Sequence, residues 1–119
     1  MSQRTEKVQE LAREVLGEAI AALKDPRVGF ATVTAVRISP DLRTARVYVS
    51  VLGSDEEQED TMAGLRSASP HLRTELGRQV RLKYLPELII ELDTGAKEAE
   101  RLDALLKKIH DEEDAGPEG

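Results

Sequence analysis

The residues best suited to chemistry in this sequence are basic and lie in one segment. Between Thr61 and Pro86 the chain carries five basic residues and a single acidic one, Glu75. The basic residues are Arg66, Arg73, Arg78, Arg81 and Lys83. Guanidinium groups make two-pronged hydrogen bonds to phosphate oxygens, so this composition favours a surface for a nucleic-acid backbone. Ordinary solvated surface charge is the alternative interpretation.

The net charge of the whole chain does not reflect the positive charge of this segment. The formal total is −6, from 17 Lys and Arg against 23 Asp and Glu, and by itself it argues against a polyanionic partner. Ten of the acidic residues lie in two stretches without Lys or Arg, 55–60 and 111–118. Outside those stretches the chain has 17 basic and 13 acidic residues, and the whole excess lies within 61–86.

Residue types that support catalysis are scarce. His71 and His110 have no nucleophile or metal-ligand partner at a recognised spacing, and cysteine is absent, so thiolate chemistry and Cys-ligated metals are excluded. Glu87 and Glu91 share a strand face about 13 Å apart, too far for a glycosidase pair. The sequence predicts a protein that is not an enzyme and that has no metal and no cofactor.

The sequence also lacks membrane and export signals. The longest apolar run is Ala19–Leu23, far short of the roughly 20 residues that span a bilayer. The N-terminal region has regularly spaced glutamates and no apolar leader. We therefore expect a cytoplasmic protein.

Hydrophobic periodicity predicts the first three elements. Apolar residues recur with helical spacing over about Gln3–Lys24, which predicts a helix. A strand follows over Phe30–Ser39, and its alternation slips near Ala35 as it does at a β-bulge. A turn at Ser39–Leu42 leads into a strand over Ala45–Val51 with one buried face. These two strands form a hairpin.

Two consecutive helices are predicted next. Ser54 and Glu57 match a capping box that opens the second helix. Pro70 interrupts it, because the residue before a proline avoids helical dihedrals, and Ser69 is then the N-cap of a third helix that ends near Arg81.

The third helix is predicted to separate apolar from basic residues. Leu72, Leu76 and Val80 line one side at about 100° per residue. Arg78 and Arg81 lie opposite, with Arg73 beside them, so the basic residues should face solvent.

The last predicted strand completes an α+β fold. Residues 88–92 alternate as a strand, residues 102–109 carry a short helical stripe, and residues 111–119 form an acidic, disordered tail. A hairpin, two helices and a further strand predict a three-stranded mixed sheet with helices on one face. We therefore expect one domain over residues 1–110, with an extra C-terminal helix.

This element order, with its basic helix pair, resembles a type II KH domain, in which a GxxG loop between two helices clamps the nucleic-acid backbone. The only GxxG here is Gly116–Gly119 in the tail, and Ala68, Ser69 and Pro70 occupy the interhelical kink. That kink resembles the ribosome-binding factor A family, which usually has Ala-x-Gly at this position. Further matches are Lys24–Arg27, Gly29–Phe30, Ser39–Leu42, Val47–Ser50, Leu76–Gly77 and Pro86–Leu88. Because Pro70 replaces the usual glycine, the kink lacks one backbone N–H that could face a phosphate.

The resemblance implies a bacterial assembly factor without catalytic activity. It implies binding to free 30S subunits and to 16S rRNA near its 5′-terminal helix. It also implies a part in late 30S maturation, rRNA processing and cold adaptation, and release with help from a ribosome-dependent GTPase. We expect a monomer.

The resemblance also adds contact residues outside the basic segment. Lys24 and Arg27 join the predicted RNA surface, although they could instead offset the negative end of the first helix. Arg46 and Tyr48 share the outward face of the second strand, where Tyr48 either stacks on a base or covers the sheet. A different class of function is also open, namely a protein-interaction adaptor whose acidic stretches dock a basic partner while RNA binding is incidental.

Overall fold

Three helices and a three-stranded sheet make up the fold in the computed structural model, which describes residues 3–94. In chain order they are α1 (Gln3–Ala21), β1 (Ala31–Ile38), β2 (Thr44–Val51), α2 (Asp55–Ser67), α3 (Ser69–Gln79) and β3 (Glu87–Leu92). The α+β prediction is therefore confirmed. The predicted helix at 102–109 and the predicted tail at 111–119 lie outside the described residues.

The sheet is mixed and has β2 in its centre. β1 pairs with β2 antiparallel, and the register shifts between Val33 and Ala35, which confirms the bulge predicted near Ala35. β3 pairs with β2 in parallel, with Thr44 opposite Glu87. A parallel pairing needs a crossover connection, and α2 and α3 provide it.

The core is aliphatic and lies between the helices and one face of the sheet. Every second residue of β2 from Ala45 to Val51 is buried, as its period of two predicts. Leu16, Leu65 and Leu76 are fully buried against this face. Within residues 3–94, the helices thus cover one side of the sheet and leave the other side uncovered.

The junction between α2 and α3 differs from its prediction. Ser69 was predicted to be the N-cap of α3, but the N-cap is Ala68 and no side chain caps the helix. Ala68 has helical dihedrals of φ −84° and ψ −2°, and its N–H donates to the carbonyls of Gly64 and Leu65 at 3.1 Å. The backbone therefore stays nearly helical through the junction, because Leu65 and Leu72 on either side are both buried in the core.

Two helix ends also fall earlier than predicted. α1 ends at Ala21 and not at Lys24, and α3 ends at Gln79 and not near Arg81. Val80 is already extended, with φ −121° and ψ 128°, yet it is buried. Arg81 therefore lies in the loop before β3 and not on the solvent side of α3.

The sheet gives the domain two distinct ends. Ile38, Thr44 and Glu87 meet at one end, whereas Ala31 and Val51 meet at the other. Eight-residue strands separate these ends by about 23 Å.

Among the helices of residues 3–94, none has the length and apolar content needed to cross a membrane.

Candidate nucleic-acid interface

Cations and an aromatic ring meet at the end of the sheet where β2 and β3 begin. Tyr84 lies in the loop before β3, and its ring centroid is 5.3 Å from the Arg43 guanidinium and 5.6 Å from the Lys83 ammonium. Cations at this distance are attracted by the electron-rich ring face. Arg43, Arg81, Lys83 and Tyr84 are called the cationic end below.

The parallel register of β2 and β3 creates this arrangement. The Glu87 N–H donates to the Arg43 carbonyl at 2.8 Å, so the residue before β2 lies beside the loop before β3. Arg81 and Lys83 line a groove of about 410 Å³, whose other walls come from the start of α1 and the β1–β2 turn. The groove residues besides these two are Thr5, Val8, Ile38, Leu42 and Leu82.

The cations of the cationic end are exposed and make no ion pairs within the part of the chain that the structure describes. Ion pairs in residues 3–94 involve Arg13, Arg27, Arg46 and Arg78. Arg43, Arg81 and Lys83 are all exposed and outside those pairs. As far as residues 3–94 are concerned, they can therefore bind phosphate oxygens without first breaking an ion pair.

Arg73 holds the loop of the cationic end. Its Nε donates to the Pro86 carbonyl at 2.9 Å and its Nη2 donates to the Leu85 carbonyl at 2.8 Å. These bonds fix the segment between α3 and β3. The guanidinium predicted to hold phosphate is thus engaged by the protein's own backbone.

Two other residues of the basic segment also have protein partners. Arg66 donates from Nη2 to the Ile90 carbonyl at 3.3 Å. Arg78 forms an exposed ion pair with Glu75 at 3.2 Å, one turn away on α3. The structure thus separates the five predicted basic residues, and only Arg81 and Lys83 of that set join the cationic end.

Lys24 and Arg27 lie in the α1–β1 loop, away from the cationic end. Arg27 pairs with Asp25 at 2.7 Å, and the hydrogen bonds from its guanidinium and its backbone N–H lower the pKa of the Asp25 carboxyl. Lys24 is exposed. This pair of basic residues therefore forms a separate surface.

Arg46 and Tyr48 lie on the open face of the sheet. Arg46 forms an ion pair with Glu91 of β3. Tyr48 is half-buried and lies between Ala35 of β1 and Glu91 of β3 in the strand register. The ring thus covers part of the sheet, and Arg46 has a carboxylate partner.

The kink residues present a helical surface and not a loop. Ala68 and Ser69 are half-buried, and Pro70 is exposed at the second position of α3. The Ala68 N–H is already bonded inside α2, and Pro70 has no N–H. Ala68 and Pro70 therefore offer a phosphate no free backbone N–H.

The opposite end of the sheet carries negative charge and exposed apolar residues. Ser54 and Glu57 form the predicted capping box, with reciprocal bonds of 3.1 and 3.2 Å, and hydrogen bonds from Ser54 lower the pKa of Glu57. Phe30 and Leu52 beside this helix start are 82% and 72% exposed. Phe30, Leu52 and the α2 residues Asp55–Asp60 are called the acidic end below.

Sequence reasoning missed Arg43 and Tyr84 as parts of the candidate interface. Arg43 follows a turn, and Tyr84 is 41 residues further along the chain. The adjacency of Tyr84 to Lys83 was a usable signal, because an aromatic ring next to a basic residue is common in nucleic-acid sites. Across residues 3–94 there is also no cluster of three side chains that could hold a metal ion.

The fold and this interface define a small α+β protein with a cationic end suited to a polyanion. A family model described as ribosome-binding factor A matches residues 4–106. This chain belongs to the ribosome-binding factor A family.

Individual relatives agree with this assignment. Ribosome-binding factor A of Geobacter sulfurreducens is 43% identical, over 94% of this chain and 96% of the relative. The crystal structure of ribosome-binding factor A from Thermus thermophilus is 33% identical with a TM-score of 0.68, over 74% of this chain and 94% of that one. A homology model of the Thermus thermophilus factor, fitted into the cryo-EM map of its 30S complex, is 35% identical with a TM-score of 0.59, over 70% and 88%.

Proposed function

We propose that this chain is a non-enzymatic assembly factor that binds free 30S subunits through 16S rRNA. Two findings support the proposal: the chain belongs to the ribosome-binding factor A family, and a related protein has been fitted into a 30S complex. The factor acts in the cytoplasm as a monomer near the 5′-terminal helix of 16S rRNA. It assists late maturation and rRNA processing, including in the cold, and leaves with help from a ribosome-dependent GTPase.

The cationic end is the observation that carries this proposal. Arg43, Arg81 and Lys83 are exposed, and their side chains form no ion pairs within residues 3–94. Arg43 and Lys83 are held near the ring of Tyr84. Phosphate contacts of this kind supply affinity and fix orientation without reading sequence. In this proposal Arg81 and Lys83 hold rRNA phosphates, and Arg73 keeps their loop in place.

The other predicted contacts have secondary roles in the proposal. Arg66, which precedes the Ala68–Pro70 kink, extends the phosphate surface along α2. Arg78, which lines a shallow groove with Arg81 and Lys83, extends it along α3. Four other predicted contact residues lie on other surfaces of the domain: Lys24, Arg27, Arg46 and Tyr48. In this proposal they contact rRNA only if the binding site on the subunit surrounds the domain. Residues 1–110 act as the RNA-binding domain, and residues 111–119 act as an acidic tail.

Charge reversal at the cationic end tests the proposal. The double variant R81E/K83E should bind purified 30S subunits roughly 100-fold more weakly in sedimentation assays, and its binding should depend less on salt, by roughly 1.5 in log–log slope. The matched control R13E/R37E makes the same change in net charge on α1 and β1. It should keep near-normal binding, and thermal melting should show both variants folded.

Two results would count against the proposal. If wild-type binding to 30S subunits were insensitive to salt, phosphate contacts could not be its basis. If removing residues 111–119 abolished subunit binding while R81E/K83E preserved it, the adaptor function through acidic stretches would replace the RNA-binding one.

A further inference from the structure

Phe30 and Leu52 form an exposed apolar pair at the acidic end. They are the two most exposed large apolar residues among those described, at 82% and 72%. The Leu52 N–H donates to the Phe30 carbonyl at 3.1 Å, which places the two residues side by side where β1 begins and β2 ends. Side chains this exposed contribute little to the core and are available to a partner.

The backbone around the pair is fixed by α2. The Gly29 N–H donates to the Thr61 hydroxyl at 3.1 Å, and Gln58 Nε2 donates to the Gly53 carbonyl at 3.2 Å. Gly29 directly precedes Phe30, and Gly53 directly follows Leu52. The apolar pair is therefore presented by an ordered backbone, which lowers the entropy lost on binding.

The surroundings of the pair are strongly negative. Residues 55–60 carry five carboxylates and no cation, and Glu57 lies against Gly53. Arg27 forms an ion pair with Asp25 and is also attracted by the charge of Asp60. An RNA backbone would be repelled here, whereas a basic segment would be attracted.

We propose that the acidic end docks a basic protein segment that contains an apolar side chain. Phe30 and Leu52 receive the apolar side chain, and carboxylates of Asp55–Asp60 pair with its lysines and arginines. This inference rests on the proposed function, because the segment would belong to a protein of the small subunit. The cationic end then binds RNA, and the acidic end binds protein on the same particle.

Removing the apolar pair is the first test. The double variant F30S/L52S should bind purified 30S subunits about tenfold more weakly in sedimentation assays, since central apolar anchors carry much of the affinity of an interface. Its binding to a naked rRNA fragment should be unchanged. The control L11S/I89S alters two other partly exposed apolar residues and should bind like wild type. Equal 30S binding by F30S/L52S and wild type would overturn the inference.

Neutralising the carboxylates tests whether protein or RNA lies against the acidic end, because the two partners predict opposite changes in affinity for the 30S subunit. Glu56 and Asp60 lie one helical turn apart on α2 and outside the capping box. E56Q/D60N should weaken 30S binding severalfold if the partner is basic protein. Tighter binding would mean that RNA lies against this end, and the inference would be wrong. Thermal melting identifies any loss of folding.

Photo-cross-linking identifies the occupant directly. With benzoylphenylalanine in place of Leu52, cross-links on purified 30S subunits should fall on Lys- and Arg-rich segments of ribosomal proteins. Cross-links to rRNA alone, or to a second copy of this chain, would overturn the inference while 30S binding persists. If the wild-type chain does not bind 30S subunits at all, the proposed function falls as well.

Discussion

The two ends of the sheet carry opposite charge although one small sheet connects them. At the cationic end, Arg43 and Lys83 flank Tyr84, and the supporting arginine, Arg73, is bonded to backbone carbonyls. At the acidic end, the carboxylates are organised by a helix start, because the positive end of α2 favours them. The difference shows that one small domain can carry surfaces of opposite charge about 23 Å apart.

Neutralising the charges of each end in turn should have the largest effects on RNA binding, and the effects of the two ends should differ most. The triple variant R43Q/R81Q/K83Q should weaken binding to a naked rRNA fragment roughly 100-fold at low salt and reduce the salt slope by about two. E56Q/D60N should change that binding less than twofold, because solvent screens charges beyond about 10 Å. Electrophoretic mobility shifts across a salt series measure the RNA affinity and the salt slope of each variant. Similar losses from both variants would remove the distinction between the ends.

Two helix glycines, one near each end, provide a matched pair for stability. A Cβ on Gly64 would lie 2.7 Å from Val28 Cγ2, whereas a Cβ on Gly77 would lie 2.9 Å from Cδ1 of the exposed Leu85. Val28 is partly buried against the core, and Arg27 Cβ and Asp25 Oδ2 also lie 3.4 Å from the added Cβ, so G64A should lower the free energy of unfolding by about 1 kcal/mol. Leu85 can move, so G77A should be neutral or slightly stabilising.

Urea denaturation measures the difference between these glycine variants. G17A serves as the control, because nothing lies within 4 Å of an added Cβ at Gly17 in α1, and alanine should stabilise the helix there by about 0.5–1 kcal/mol. Equal stabilisation by G64A and G17A would show that the α1–β1 loop adjusts freely and that α2 does not fix the backbone at the acidic end.

Substitution of Arg73 tests whether this residue positions the loop of the cationic end or binds phosphate itself. R73A should lower the free energy of unfolding by about 1 kcal/mol, because two backbone carbonyls lose a charged donor. It should weaken RNA binding several-fold with an unchanged salt slope, since no phosphate contact is lost. R73K should restore only part of each loss, because an ammonium lacks the fork that reaches both carbonyls. A reduced salt slope in R73A would instead make Arg73 a phosphate ligand.

The smallest effect is expected from pH at the acidic end. Hydrogen bonds from Ser54 lower the pKa of Glu57 from its ordinary value of 4.5. The ionised group therefore stabilises the fold above about pH 4.5, and this stabilisation is lost as the pH falls through its lowered pKa. E57Q should melt slightly below wild type at pH 7, and the two melting curves should converge in strong acid. A constant difference at every pH would rule out this charge effect.

Local signals in the sequence predicted most of the fold. The alternation of β2 and the capping box at Ser54 were correct because each depends on residues close in sequence. The cap at Ser69 and the end of α3 were wrong, because burial of Leu72 and Val80 set the backbone there. Tertiary packing decided those two boundaries, and local preference did not.

The candidate interface was less predictable than the fold. Counting charges located Arg81 and Lys83, but it could not separate them from Arg73, whose partners are carbonyls 12 and 13 residues away. Arg43 joins them only through the parallel register of β2 and β3. No local pattern encodes that register, so the full cationic end emerges only from the fold.

Tyr84 also gives the protein a built-in optical reporter. The chain has no tryptophan and only two tyrosines, so its ultraviolet emission is not dominated by an indole. In a Y48F background all tyrosine emission would come from the ring between Arg43 and Lys83. Nucleotides stacking on that ring or displacing its cations would quench or shift the signal. Occupancy of the cationic end could then be followed in real time without a dye.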